Sequence, residues 1–256
     1  MADSSLATTI RDFLDAALKP RSGRVGTSGI YAPTLYRGQP FKKSLLPRLF
    51  RPDDPNDLND ATRISQVIDN ENRLLKQFKN DSPYLLPSVP NNEWDWLSMA
   101  QHFTLPTRLL DWTANPLTAL FFAVEQDNCP DPVVYAYYTG IASKTIVTQD
   151  MKTDRKLNPL KIKKTKVFQP SWHSVRVALQ AGWHTAHAIY ARKDGRKYMR
   201  PLDEMETHRQ RLRLIPIDPG SVQDLRDGLA DMGIKHSSVY GDLESVCTSI
   251  KRRVFA

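Results

Sequence analysis

The sequence predicts an α+β fold, and three observations carry that expectation. Helical spacing of apolar residues concentrates toward the two ends, β-branched and aromatic runs group between them, and strands do not alternate regularly with helices. At 256 residues the chain is long enough for one sizeable core. We expect residues 1–29 to form an N-terminal helix and loop, and residues 30–256 to form the main α+β domain.

Taken in order, Ser4 or Ser5 can cap an opening helix that ends before Pro20. Its Leu6, Ile10, Phe13, Leu14 and Ala17 fall on one face. The Gly- and Ser-rich stretch 21–29 reads as a loop, and residues 34–37 as a short strand closed by Gly38. Ile64, Val67, Ile68, Leu74, Leu75 and Phe78 are spaced for a helix over 60–79. Prolines between 83 and 90 break the chain before a second helix through Trp94, Leu97 and Ala100. Residues 107–113 read as a strand and 115–126 as the helix after it. The run at 133–138 has strand composition, and further strands are expected at 167–168, 175–179, 183–190 and 212–217. Helices over 221–232 and 243–253 close the chain.

Composition narrows the function. The two cysteines, Cys129 and Cys247, follow no metal-ligand spacing and read as reduced thiols, so no metal site is expected. No apolar run approaches the ~18–20 residues of a membrane helix, and the first residues lack a signal pattern. The expectation is a cytoplasmic protein without a membrane partner. A net charge of +8 favours encounter with polyanions. Lys152, Arg155, Lys156, Lys161, Lys163, Lys164 and Lys166 crowd one segment, and Arg192, Lys193, Arg196, Lys197 and Arg200 another. These runs are either solvated loops or a nucleic-acid surface, for which Lys161, Lys163 and Lys164 are the candidate contacts. Trp183, Tyr190 and Tyr198 lie near them and either stack on unpaired bases or pack in the core.

Two motifs carry chemistry. Arg108, Asp111, Thr113 and Asn115 interrupt an apolar stretch, and buried charges need partners. Thr113 and Asn115 can orient a ligand; alternatively Thr113 caps the next helix, Pro116 fills its first turn, and Arg108 pairs with Asp111. In Tyr36-Arg37-Gly38-Gln39 the guanidinium can grip a phosphate while glycine admits the ligand to the backbone. The other reading pairs Arg37 with a carboxylate such as Asp111. The histidines show no HExxH spacing, and His184 and His187 are discounted as a metal pair.

Together these motifs resemble the FRG domain family, named for its aromatic-Arg-Gly signature. The resemblance rests on Tyr36-Arg37-Gly38-Gln39, Leu45-Leu46-Pro47-Arg48-Leu49, and Glu71 with Leu74, Leu75 and Phe78. It continues through residues 100–123, 176–183 and Met232-Gly233-Ile234. The arrangement is also similar to ADP-ribosyltransferases of the arginine–serine–glutamate class. That resemblance implies an ADP-ribosyltransferase-like, mixed or antiparallel β core with flanking helices, and NAD as substrate. It implies Arg37, Thr113 and Gln180 as catalytic residues, with Tyr36, Arg37, Gly38, Gln39, Thr113 and Asn115 holding NAD. The sequence departs from the class at Gln180-Ala181-Gly182, where a Gln/Glu-x-Glu motif is expected. Losing such a carboxylate from an oxocarbenium-like transition state costs about 10²–10³ in rate. Gln180, Glu71, Glu204 or Glu206 would have to compensate.

The functional expectation is therefore an NAD-dependent mono-ADP-ribosyltransferase, a toxin or phage-defence effector with a neutralising antitoxin protein as a possible partner. Net basicity favours RNA as the modified nucleic acid. The alternative is a non-catalytic nucleic-acid or partner-binding module of the same fold. A metal-dependent nuclease using Glu71, Glu93, Asp95 and Asp111 ranks last, because their spacing gives no metal signature.

Overall fold

Thr9, not Ser4 or Ser5, opens the first helix, α1 (Ile10–Ala17). Its hydroxyl accepts the Asp12 N–H at 3.1 Å, and Asp12 Oδ2 accepts the Thr9 N–H at 3.0 Å. This reciprocal pair satisfies two otherwise orphaned donors. The structure, a computed structural model, describes residues 6–19, 33–54, 60–86, 88–140, 145–154, 156–171 and 175–254. Ser4, Ser5, the loop expected at 21–29, and Arg155 lie outside them.

The chain continues with β1 (Thr34–Gln39), α2 (Ala61–Asp81), α3 (Glu93–His102), β2 (Leu109–Thr113), α4 (Pro116–Val124) and β3 (Val133–Tyr138). Next come β4 (Ile146–Val147), α5 (Gln149–Lys152), β5 (Lys166–Phe168), α6 (Val175–Leu179) and β6 (Gly182–Ala186). A small pair, β7 (Tyr190–Ala191) and β8 (Lys197–Tyr198), stands apart from the main sheet. The last elements are α7 (Glu206–Arg209), β9 (Leu212–Pro216), α8 (Val222–Asp231), α9 (His236–Tyr240) and α10 (Leu243–Val254).

The α+β expectation agrees with this architecture: a seven-stranded sheet in the order β4-β5-β6-β2-β1-β3-β9, flanked by helices. Only β4 and β5 run parallel; the other neighbours are antiparallel. Two strand expectations fail. Residues 175–179 form α6 despite two valines, because the Gln180 N–H returns to the Arg176 carbonyl at 3.0 Å. The strand expected over 183–190 ends at Ala186, and Tyr190 pairs with Tyr198 instead. Helix α9 was not anticipated.

Strand alternation divides the core. Leu35, Trp112, Tyr135, Tyr137 and Trp183 face one side in a continuous cluster. The opposite face is covered in two patches. Over β1, β3 and β9, residues Tyr36, Val134, Ala136 and Ile215 pack against α1, α4 and α8. Over β2, β5 and β6, residues Leu109, Phe168 and Ala186 pack against Leu75, Trp94 and Leu97 of α2 and α3. The first patch explains Gly38. A Cβ there would overlap the Ala119 carbonyl oxygen and lie 2.6 Å from Ala123 N, so α4 rests directly on the β1 backbone.

Arg108 is 1% exposed, and its partner is Glu71 rather than Asp111. Its Nε donates to both Glu71 oxygens at 3.0 Å and Nη2 to Oε2 at 2.5 Å, while Nη1 donates to the Leu160 carbonyl at 3.2 Å. Residues three apart on an extended chain face opposite ways, so Arg108 and Asp111 diverge. Glu71 is thereby committed to structure, which removes it as a substitute catalytic carboxylate.

Candidate functional site

The seam between the two helical patches lies over the junction of β1 and β2, whose recorded pairing is the single position Tyr36↔Thr113. Beyond it Arg37 reaches across, Nη1 donating to the Asp111 main-chain carbonyl at 2.7 Å. The expected alternative of an Arg37 salt bridge is thus met by Asp111's backbone rather than its carboxylate. A cleft of about 350 Å³ occupies this seam, near the lower end of the ~300–1,000 Å³ usual for small-molecule sites.

Arg37, Thr113 and Gln180 all line the cleft, together with Tyr36 and Gly38. Register explains their convergence: Thr113 pairs with Tyr36 on one side and Gly182 on the other. Ala181, held at φ 46°, turns the chain from α6 into β6. Thr113 Oγ1 donates to the Gln180 carbonyl at 2.6 Å, and Ala114 N–H to the Ala181 carbonyl at 3.0 Å. Thr113 also accepts the Asn115 N–H at 3.0 Å. Its hydroxyl proton is therefore engaged in fixing Gln180. The helix cap is Asn115, whose Oδ1 accepts from Leu117 N at 2.9 Å, and not Thr113 as one expectation held. Asn115 and Gln39 do not reach the cleft; Gln39 Oε1 instead accepts the Lys43 N–H at 3.0 Å.

Unpaired donors mark this cleft. Among the described residues, buried side-chain atoms without a regular hydrogen bond are Arg37 Nε, Arg63 Nη1, Gln180 Nε2, His184 Nδ1 and His187 Nδ1. Arg37 Nε and Gln180 Nε2 belong to the cleft lining, whereas His184 Nδ1, also there, lies 3.2 Å from Asp111 Oδ1. Leaving a buried donor unsatisfied costs about 1–3 kcal/mol, and Arg37 Nε and Gln180 Nε2 are two such donors opening on the same cleft. Burial pushes the Arg37 pKa down, and nearby Arg51 adds to that, against the opposing charge of Asp111.

Sequence reading missed a polar network on the α3 side. Ser98 Oγ lies 2.9 Å from His184 Nε2, and His184 Nδ1 lies 3.2 Å from Asp111 Oδ1. The second contact has ion-pair distance, but the N–H is not aligned well enough for a regular hydrogen bond. Gln101 Nε2 donates to both Asp111 oxygens at 3.2 and 3.1 Å, and its Oε1 accepts from Thr107 at 2.6 Å. Crowding by the cleft walls pushes the Asp111 pKa up. The adjacent His184 imidazole, the Arg37 charge and the Gln101 amide outweigh this and hold it at about 2. The available signal was Ser98 and Gln101, three apart on a helix that buries Trp94, Trp96, Leu97 and Met99.

The opposite wall carries Arg176 and Glu125. Arg176 stacks over Tyr240 at 4.6 Å, and the Tyr240 hydroxyl donates to Glu125 at 2.8 Å. Burial raises the Glu125 pKa against that hydrogen bond. Glu204 and Glu206 lie in a 3₁₀ turn and in α7, outside the cleft lining. Lys161, Lys163 and Lys164 are exposed ahead of β5 and also stand outside it. Trp183 is 7% exposed and packs in the core. Among the described residues no His, Cys, Asp and Glu group could hold a metal ion, and no helix is long and apolar enough to cross a membrane.

No curated protein and no solved structure matches this chain. Residues 32–131, the stretch carrying Arg37, Ser98, Asp111 and Thr113, match the family model of the FRG domain, and that match supports the FRG family.

Proposed function

We propose that the cleft binds NAD and transfers its ADP-ribose, with loss of nicotinamide. The observation that carries this reading is the convergence of Arg37, Thr113 and Gln180 on one cleft, with Arg37 Nε and Gln180 Nε2 unpaired there. They stand on β1, at the end of β2 and just ahead of β6, three neighbouring strands. That placement fits the resemblance to ADP-ribosyltransferases, and with it an ADP-ribosyltransferase-like core. Arg37 would grip the diphosphate, and Gln180, held by Thr113, would face the nicotinamide ribose. The cleft volume suits that end of the dinucleotide, with the remainder lying across the mouth. Net basicity favours RNA as an outside acceptor.

Incubating the full chain with NAD and total RNA tests this. Nicotinamide release is expected, falling about 10²-fold in Arg37→Ala. Intact NAD beside folded protein refutes the proposal.

The exposure of Lys161, Lys163 and Lys164 away from the cleft favours one second reading, RNA binding without catalysis. It predicts that converting all three to Gln lowers the logarithmic salt slope for single-stranded RNA by about 2. Under this reading Arg37→Ala leaves RNA affinity unchanged.

A further inference from the structure

The NAD reading leaves open which group attacks the ribose, and Gly182 stands where the transferase class carries a stabilising carboxylate. Within the cleft stands a nucleophile, base and orienter set built from three separate elements: Ser98 on α3, His184 on β6 and Asp111 on β2. Asp111 and His184 are direct cross-strand partners, so sheet register places the carboxylate against the imidazole. Ser98 Oγ meets the other ring nitrogen at 2.9 Å. A carboxylate only accepts, so the partners assign the imidazole hydrogen to Nδ1 and leave Nε2 to take the Ser98 proton. The carboxylate is itself fixed by Gln101 at 3.2 and 3.1 Å. Ser98 is 5% exposed, and that remaining surface borders the cleft.

Resting on the NAD reading, we infer that Ser98 is the cleft's own acceptor, activated by His184 with Asp111 orienting the base, so that the chain ADP-ribosylates itself when no RNA is supplied. The Ser98 Oγ–C1′ bond forms as the C1′–nitrogen bond of nicotinamide breaks. The bonding pair leaves with neutral nicotinamide, and the Ser98 proton passes to His184 Nε2 and then to solvent. Gln180 and Arg37 line the same cleft, and the Ser98 hydroxyl is engaged by His184 rather than by either of them.

The test has two arms on the full chain. The first uses an organophosphorus fluoride, which needs no NAD: Ser98 Oγ bonds to phosphorus, fluoride leaves, and His184 takes the proton. Labelling of Ser98 is expected, slowed about 10²-fold in His184→Gln. The second uses NAD labelled in its adenine half, followed by peptide mass spectrometry and nicotinamide quantification. Expected is one ADP-ribose on the Ser98 peptide, absent in Ser98→Ala and restored in part in Ser98→Thr. Nicotinamide release with the label on another residue, or as free ADP-ribose, overturns Ser98 as acceptor while the NAD reading stands. No nicotinamide release overturns the NAD reading and the acceptor assignment together. Failure of the fluoride arm, with folded protein, removes Ser98 as a nucleophile.

Discussion

Breaking the Glu71–Arg108 pair is the most direct probe of what positions β2. Both side chains are almost fully enclosed, at 2% and 1% exposure. Glu71→Leu would leave a guanidinium buried beside apolar neighbours, and removing one partner of a buried pair costs about 3–5 kcal/mol. Domains of this kind hold about 5–15 kcal/mol in total, so the variant should unfold at markedly lower urea. Adding Arg108→Met removes the stranded charge and should restore part of the loss. Restoration is incomplete because the Glu71 oxygen also accepts the Arg108 N–H at 3.1 Å, and the Leu160 carbonyl loses its donor. Each unpaired buried group costs about 1–3 kcal/mol. Two such groups set a floor of about 2 kcal/mol, so the double variant should sit at least that far below the wild type, yet above Glu71→Leu alone. Urea titration followed by circular dichroism, with a constant slope across variants, reads this directly. If the two losses simply add, the pair is not coupled and the reasoning fails.

Three further outcomes follow from the same structure. Gly38→Ala should lose at least about 3 kcal/mol of unfolding free energy, since its methyl collides with main-chain atoms of α4 that only a helix shift can move; a loss within ~0.5 kcal/mol would mean α4 does not rest on β1. Burial, then the charges of His208 and Arg108, lowers the His187 pKa to about 3, and burial, then Arg211, lowers that of His208 to about 4. Below pH ~6.5 the unfolded chain therefore takes up protons first, so this stability is complete above ~6.5 and is lost as pH falls toward those values. Each group should cost on the order of 2 kcal/mol between pH 7 and pH 5, and His208→Gln should flatten that slope in urea titrations. Gly182→Glu returns a carboxylate to the position where the transferase class carries one, and its Cβ would meet the Val177 carbonyl at a tight but adjustable 3.3 Å. Faster nicotinamide release is expected, and slower release would count against the proposed orientation of NAD.

The long helices and the central strands were legible because periodicity and composition agree there. Ile64 and Leu75 lie on one buried face of α2, as their spacing requires. Val133 to Tyr138 forms a full-length inner strand, as its β-branched and aromatic content requires. The short elements escaped because five residues carry too little pattern to separate helix from strand, as α6 illustrates. Partners of charged groups escaped for another reason. Arg108 finds Glu71 thirty-seven residues away in sequence, and only the packing of α2 on the sheet brings them together. Arg37, Asp111, Thr113 and Gln180 could be named from motifs, whereas Ser98 and His184 could not, since they meet Asp111 only through the β2–β6 register and the packing of α3.

That distinction bears on how the cleft is held ready for a ligand. Thr113 and Asn115 look like ligand contacts in the sequence, yet the fold engages their side chains as a clasp and a cap. Side-chain oxygens next to helix starts are the natural acceptors for local N–H groups, which explains that use. Arg37 is different. One nitrogen is spent on the Asp111 carbonyl, which bridges the gap between β1 and β2, and its Nε remains unpaired. Pinning one end of the guanidinium removes rotamer freedom that a ligand would otherwise have to quench, at ~0.5–1.5 kcal/mol per ordered side chain. Gln180 follows the same logic, with its backbone clasped by Thr113 and its amide nitrogen unpaired. The fold thus accepts unsatisfied donors in exchange for a preorganised pair of them. Arg108 shows the contrast, with its guanidinium wholly paired by Glu71 and the Leu160 carbonyl.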